Sequence, residues 1–101
     1  MTMQLKFTIK EVNMKAIVSV LGKDKKGIIA KVSNALFKSD CNILDISQTI
    51  MQSNYFTMLM MVETGEKTIS EVNEVLNKIA DEMAVEIRIQ HENIFTSMNS
   101  I

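Results

Sequence analysis

The sequence predicts an α+β fold in which a four-stranded antiparallel sheet carries both of its helices on one face. Two segments place apolar residues at helical spacing, and four others show the alternating or continuous apolar pattern of strands. From residue 14 their order is β-α-β-β-α-β, and two right-handed crossovers arrange such a chain as a ferredoxin-like sandwich. A short helical tail is expected after the last strand.

Composition restricts the functions that this chain can have. Its 101 residues are 47% apolar and 23% charged, as expected for one small globular domain. The net charge of −1 gives no electrostatic basis for binding nucleic acid. No apolar run approaches the roughly 20 residues that cross a bilayer, and the first residues lack the apolar core of a secretory signal. We therefore expect a cytoplasmic protein with neither a membrane nor a nucleic-acid partner.

Few residues offer catalytic or metal-binding chemistry. The single cysteine, Cys41, excludes an internal disulfide and a cysteine-clustered metal site. His91 is the only histidine, so a metal centre or a nucleophile–base pair has little support. A small enzyme on this fold, such as an acylphosphatase, would need an arginine in the first turn, and the only arginine is Arg88. The prediction is a protein without enzymatic activity, metal or cofactor.

The predicted domain covers residues 14–91. Residues 1–13 carry only a weak strand-like alternation, and they are either an extension upstream of a natural start at Met14 or an extra edge strand or swapped arm. The first alternative is favoured because N-terminal segments are often poorly ordered. Residues 92–101 are the predicted tail, in which Ile94, Phe95, Met98 and Ile101 have the spacing of a short amphipathic helix.

The first strand and the first helix follow each other closely. The strand is expected at 14–21, where both faces are largely apolar, as in a central strand that is covered on both sides. The helix is expected at 27–38, and Ser39 and Asp40 end it. Its apolar stripe consists of Ile28, Ile29, Val32, Ala35 and Leu36.

The second and third strands are expected at 42–51 and 55–63, joined by a turn at 52–54. So short a link indicates an antiparallel hairpin. Leu44, Ile46 and Ile50 are predicted to share one face. The sheet face without helices mixes polar and apolar residues, which suits pairing with a second copy or with the tail. Its predicted members are Ser19, Leu21, Asp45, Ser47, Thr49, Tyr55, Thr57, Leu59 and Met61.

The second helix is expected at 69–83 and the last strand at 85–90. Thr68 and Glu71 have the spacing of a capping box, in which each side chain accepts a hydrogen bond from an exposed backbone amide of the other. The last strand alternates Val85, Ile87 and Ile89 with polar residues.

The stretch between the first strand and the first helix is the candidate binding site. A glycine stands at each end of this turn, at Gly22 and Gly27, and glycine lets backbone amides approach a ligand closely. The first amides of a helix lack partners within the helix, so they favour an anion. Asp24 offers an acceptor to an ammonium group. The remaining polar residues of the turn are Lys23, Lys25 and Lys26, and the combination suits a small zwitterion.

A structural interpretation of the same turn stands beside the functional one. Glycines are common at strand-to-helix turns for geometric reasons alone. Asp24 can also serve by hydrogen-bonding amides two or three residues later, as turn and cap residues do. A nucleotide-binding P-loop is not favoured, because Ile28 and Ile29 occupy the positions where Lys and Ser/Thr would be required.

Three motifs together resemble the ACT domain, a family of small regulatory modules. They are Asp24-x-x-Gly27-Ile28, Asn42-Ile43-x-x-Ile46 and the closing segment 85–90 followed by Ile94 and Phe95. The chain most resembles the stand-alone bacterial and archaeal members of the UPF0237 type. The resemblance covers residues 14–101.

The resemblance implies an amino-acid effector held at an interface between domains. The matching positions are Gly22, Lys23, Asp24, Gly27 and Ile28 in the turn, with Asn42 and Ile43 at the start of the second strand. Many serine-binding members have asparagine at the position of Asp24 and proline at that of Lys26, so this chain departs from their pattern. The expected function is a homodimeric, or larger, regulatory module that binds an amino acid or a related carboxylate. The alternative is a dimerisation or protein-interaction module without a ligand.

Overall fold

The structure is a computed structural model that describes residues 13–23 and 27–93. Within them the order of elements is the predicted β-α-β-β-α-β. The elements are β1 (Lys15–Lys23), α1 (Ile28–Lys38), β2 (Asn42–Ile50), β3 (Tyr55–Glu63), α2 (Ile69–Met83) and β4 (Glu86–His91).

The four strands form one sheet in the order β2-β3-β1-β4, and each neighbouring pair is antiparallel. β1 is therefore central, as its two largely apolar faces predicted, while β2 and β4 are the edges. β2 and β3 form the expected hairpin, which Met51 N closes by donating to Tyr55 O at 2.7 Å. The ferredoxin-like fold is confirmed.

The core lies between the sheet and the two helices. Alternate residues of β1 and β3 face the helices and are completely buried, among them Val18, Val20, Met58 and Met60. Five buried residues of the two helices pack against these strand residues. They are Ile28, Val32 and Leu36 of α1 and Val72 and Leu76 of α2. Met58 and Met60 lie at the centre of this core, and their flexible side chains fill gaps there that a stiffer, branched side chain would fit less easily.

The predicted capping box is present at the start of α2. Glu71 N donates to Thr68 Oγ1 at 3.2 Å, and Thr68 N donates to Glu71 Oε1 at 2.8 Å. These bonds satisfy two amides that the helix itself leaves without partners. They fix where α2 begins after the loop from β3.

The predicted faces of β2 need one correction. The pairing of β2 with β3 shifts between Ile43 and Asp45, so Leu44 is an extra residue in the ladder. Ile46 and Ile50 pair with Met60 and Phe56 on the helix side. Leu44 has no partner in β3, so it does not belong to that row of residues. The bulge is the reason, because one inserted residue reverses the alternation on either side of it.

Several predictions fall outside the described residues. They concern residues 1–12 of the N-terminal segment and residues 94–101 of the tail, including Ile94 and Phe95. At the described margin, Asn13 N donates to Gly65 O at 3.0 Å. Among residues 13–23 and 27–93, no helix combines the length and apolarity needed to cross a membrane.

Candidate functional site

Gly22 lies near the end of β1, where the chain leaves the sheet. A β-carbon at this position would lie 2.6 Å from Val85 Cγ1 and 3.0 Å from Val85 Cβ. No ordinary side chain fits there, because real β-carbons do not approach other atoms so closely. Packing against the start of β4 therefore requires this glycine, and the structural interpretation of Gly22 is sufficient.

Gly27 has a different reason to be glycine. It is the N-cap residue of α1 and has a φ of +86°, in the left-handed region. Its carbonyl accepts the first helical bond, from Lys31 N at 2.8 Å, yet it has no side chain with which to cap the first-turn amides. No atom of the described residues lies within 4 Å of where its β-carbon would be. Among the described residues, none therefore fills the space beside Gly27.

Ile28, the next predicted site residue, is only 2% exposed, and its side chain belongs to the core. It can serve a ligand only through its backbone amide. The predicted residues Asp24, Lys25 and Lys26 lie outside the described residues.

Lys23 and Tyr55 face each other across the end of the sheet. They pair in register, and Lys23 Nζ lies 6.0 Å from the centre of the Tyr55 ring, the outer limit of a cation–π contact. Beside them is an open cleft of about 480 Å³, whose lining is Leu21, Gly22, Lys23, Tyr55, Ala84, Val85 and Glu86.

Sequence reasoning identified only the β1 part of this cleft. Tyr55 belongs to the cleft because β3 pairs with β1 in a register that places Tyr55 opposite Lys23. The segment Ala84–Glu86 had no sequence signal, since its place depends on where α2 ends. Ala84 adopts a left-handed conformation there, with φ at +56°, and turns the chain into β4.

Asn42 and Ile43 lie at the opposite end of the sheet from Gly22. Asn42 and Lys15 both pair with Glu63, whereas Gly22 and Ile50 both pair with Phe56. This offset of seven residues along β1 corresponds to about 24 Å. One chain therefore does not bring the turn and the start of β2 together.

Cys41, immediately before Asn42, is buried as expected for a free cysteine. Its thiol donates to Ser39 O at 3.9 Å. Burial raises the pKa of the Cys41 thiol, and the carboxylate of Asp40 raises it further. The protonated thiol is a poor nucleophile. In the described part of the chain, no three His, Cys, Asp or Glu side chains are grouped so as to hold a metal ion.

The β2 edge carries an apolar surface. Ile46 and Ile50 are on the helix side of the sheet but remain 43% and 60% exposed. On α1, Ile29 is 42% exposed and Phe37 is 77% exposed. We call these four residues the edge patch.

Comparisons with known proteins agree with the fold. The model of the ACT domain family matches residues 15–90. The UPF0237 protein of Clostridium acetobutylicum is 50% identical over 90 residues, which cover 87% of this chain and the whole of that protein. An ACT domain protein from Streptococcus pneumoniae superposes with a TM-score of 0.71 at 38% identity, covering 87% of this chain and 97% of that one.

A more distant structure shares only the fold. The ligand-free regulatory subunit of aspartate kinase from Thermus thermophilus is 24% identical, with a TM-score of 0.62. The match covers 77% of this chain and 51% of that one.

Proposed function

The chain belongs to the ACT domain family, and from that premise we propose that it is a homodimeric regulatory module that binds an amino acid or a similar small carboxylate. The ligand lies at the turn between β1 and α1, next to the subunit interface. The observation that carries this proposal is the distance between the two halves of the family's binding motif. Gly22 and Asn42 are at opposite ends of one sheet, so a site that uses both needs two chains.

Within the described sheet no strand pairs with the outer edge of β2, and this edge offers a way to bring the halves together. Two copies that pair antiparallel through β2 place the start of one β2 beside the end of the other. Asn42 of one copy then lies at the end of the sheet where the turn of the other copy begins. A two-fold axis makes two such sites, because the same patch is used by both chains.

The composition of β2 supports pairing through this edge. Natural edge strands are usually protected by lysine, proline or a short length. β2 has nine residues, none of which is lysine or proline, and its one charged residue is Asp45. The edge patch beside it supplies apolar area that a second copy would bury. An unprotected edge and an adjoining apolar flank are what a dimer interface requires.

The chemistry of the turn suits a zwitterion. In the proposed complex the ligand carboxylate accepts hydrogen bonds from the first amides of α1 and lies near Lys23. The start of α1 favours this charge, and no described residue fills the space beside Gly27. Asp24 receives the ammonium group, and Asn42 of the other copy adds a polar contact, since its amide both donates and accepts.

Regulation follows if the ligand binds two assembled chains better than separated ones. Such coupling requires different affinities for the two states. A ligand that touches both chains satisfies this condition, because half of its contacts exist only in the dimer.

Thermal shift with each of the twenty amino acids tests the proposal. A ligand at 100 times its Kd stabilises by roughly 2.7 kcal/mol and raises Tm. We expect a rise with at least one amino acid, lost in Asp24→Ala and kept in the control Asp81→Ala, an exposed carboxylate on α2. If no amino acid raises Tm, the proposal of an amino-acid ligand is wrong and the second candidate, a dimerisation module without a ligand, is favoured. The edge patch supports that candidate.

A further inference from the structure

A groove between α1 and α2, on the outer surface of the molecule, belongs to neither the turn nor the β2 edge. Its volume is about 420 Å³. It is lined by Lys31, Asn34, Ala35, Lys38, Ser39, Lys67, Val75, Ile79 and Glu82.

The groove is apolar along its floor and positive along its rim. Ala35, Val75 and Ile79 form the floor, and Ala35 is fully part of the core. Three lysines surround this floor, against the single carboxylate of Glu82. Lysines therefore outnumber carboxylates among the groove residues, and the exposed Asp40 and Glu66 adjoin the lining at Ser39 and Lys67.

The two ends of the groove differ. At one end Lys31 Nζ contacts Glu82 Oε1 at 3.0 Å, and this ion pair crosses from α1 to α2. At the other end Lys38 and Lys67 have no carboxylate among the groove residues. Lys38 and Lys67 would therefore attract the negative charges of an anionic partner to this end of the groove.

We propose that this groove binds an acidic amphipathic helix of a partner protein. The lining on α1 extends from Lys31 to Ser39, which is about 12 Å of helix rise. Two turns of a docked helix have this length, with apolar anchors at i, i+3 or i+4, and i+7. The anchors lie on Ala35, Val75 and Ile79, and flanking carboxylates pair with Lys38 and Lys67.

The exposure of the rim favours a protein over a small molecule. Small-ligand pockets bury about 70–90% of their ligand. Here the side chains of Lys31 and Glu82 are 51% and 62% exposed, so the rim of the groove is open to solvent. A protein partner covers such a rim with its own surface. The groove is also distinct from the proposed dimer interface, because none of the four residues of the edge patch lines it.

Binding of a designed peptide to the full chain tests this inference. The probe is a fluorescein-labelled 14-residue helix with leucine at the anchor positions and glutamate elsewhere. Its control has lysine in place of glutamate. We expect fluorescence anisotropy to show binding of the acidic probe only, weakened by added salt. The double variant K38E/K67E should weaken it at least tenfold.

A matched variant and two further measurements make the test decisive. Lys78→Glu reverses an exposed charge of α2 outside the groove and should leave affinity within twofold. Circular dichroism checks that the double variant is folded, and K38A/K67A provides a milder change. Backbone NMR shifts caused by the acidic probe should map to the groove.

Three outcomes would overturn the inference. They are no binding of the acidic probe, equal binding to K38E/K67E, or NMR shifts confined to the β2 edge. If octanoate shifts the groove amides and the acidic peptide does not, the occupant is a small amphiphile and the inference is wrong. None of these outcomes depends on the amino-acid ligand, so the two proposals fail separately.

Discussion

The backbone of Gly22 packs directly against the side chain of Val85, which locks the end of β1 to the start of β4. The contact leaves no room for a methyl group, and it lies beside the turn that is proposed to bind the ligand. The same glycine therefore allows the end of β1 to pack closely against the residue that precedes β4.

We predict that Gly22→Ala destabilises the protein by about 1–3 kcal/mol, the usual cost of overpacking. The added methyl group would lie 2.6 Å from Val85 Cγ1, so one side must shift. Urea unfolding measures the loss. The double variant with Val85→Ala, which removes the obstructing methyl groups, should lose less than the sum of the two single changes. Additive losses would contradict the close contact, because coupled neighbours deviate from additivity.

Gly27→Ala tests backbone strain where space is available. The left-handed conformation costs roughly 1–2 kcal/mol for most residues. The described residues leave open space at the β-carbon, so strain alone should determine the loss. Gly27→Asn is the control, because asparagine tolerates this region and should lose less in urea unfolding. Equal losses for the two variants would show that something other than φ is responsible.

The raised pKa of the Cys41 thiol leads us to expect that the folded protein loses stability at alkaline pH. Its pKa is raised in the folded chain above the ordinary value of 9.0, so the unfolded thiol ionises first. The stabilisation is complete below the unfolded pKa and is lost as pH rises through the folded pKa. We expect urea midpoints to fall more for the wild type than for Cys41→Ala as pH increases beyond 9.0. Parallel curves for the two proteins would refute the linkage.

Lysine substitutions at two surfaces of the sheet test where the proposed dimer interface lies. Ile46→Lys places an ammonium group in the centre of the β2 edge, and lysine there blocks strand pairing. Sedimentation velocity should show two chains for the wild type and one for this variant. Leu59→Lys, on the sheet face without helices, is the control and should remain dimeric. If Leu59→Lys separates the chains and Ile46→Lys does not, the interface is that face instead.

Local patterns predicted most of the fold. The capping box of Thr68 and Glu71 and the hairpin of β2 and β3 depend on residues that are near in sequence, and both are present. The bounds of β1 and β4 were one or two residues wrong at their ends, where alternation fades into turns.

Features that depend on register were not predictable from the sequence. The bulge at Leu44 has no glycine or proline to mark it. The separation of Asn42 from Gly22 was implicit in the predicted topology, because a β-α-β crossover makes β1 and β2 parallel, and only its length needs the register. The turn and the start of β2 were predicted as two pieces of one site, and the parallel direction of β1 and β2 keeps them apart within one chain.

The central claim is that each binding site takes its turn from one chain and Asn42 from the other, and mixing two variants tests it directly. Asp24→Ala and Asn42→Ala are each expected to abolish the response to the amino acid that gives the largest thermal shift. When the two are unfolded together and refolded in equal amounts, half of the dimers are mixed, and each mixed dimer has one intact site. Calorimetry should then recover about a quarter of the wild-type sites, as closed two-fold symmetry requires. A mixture that remains silent although mixed dimers have formed would contradict the shared site.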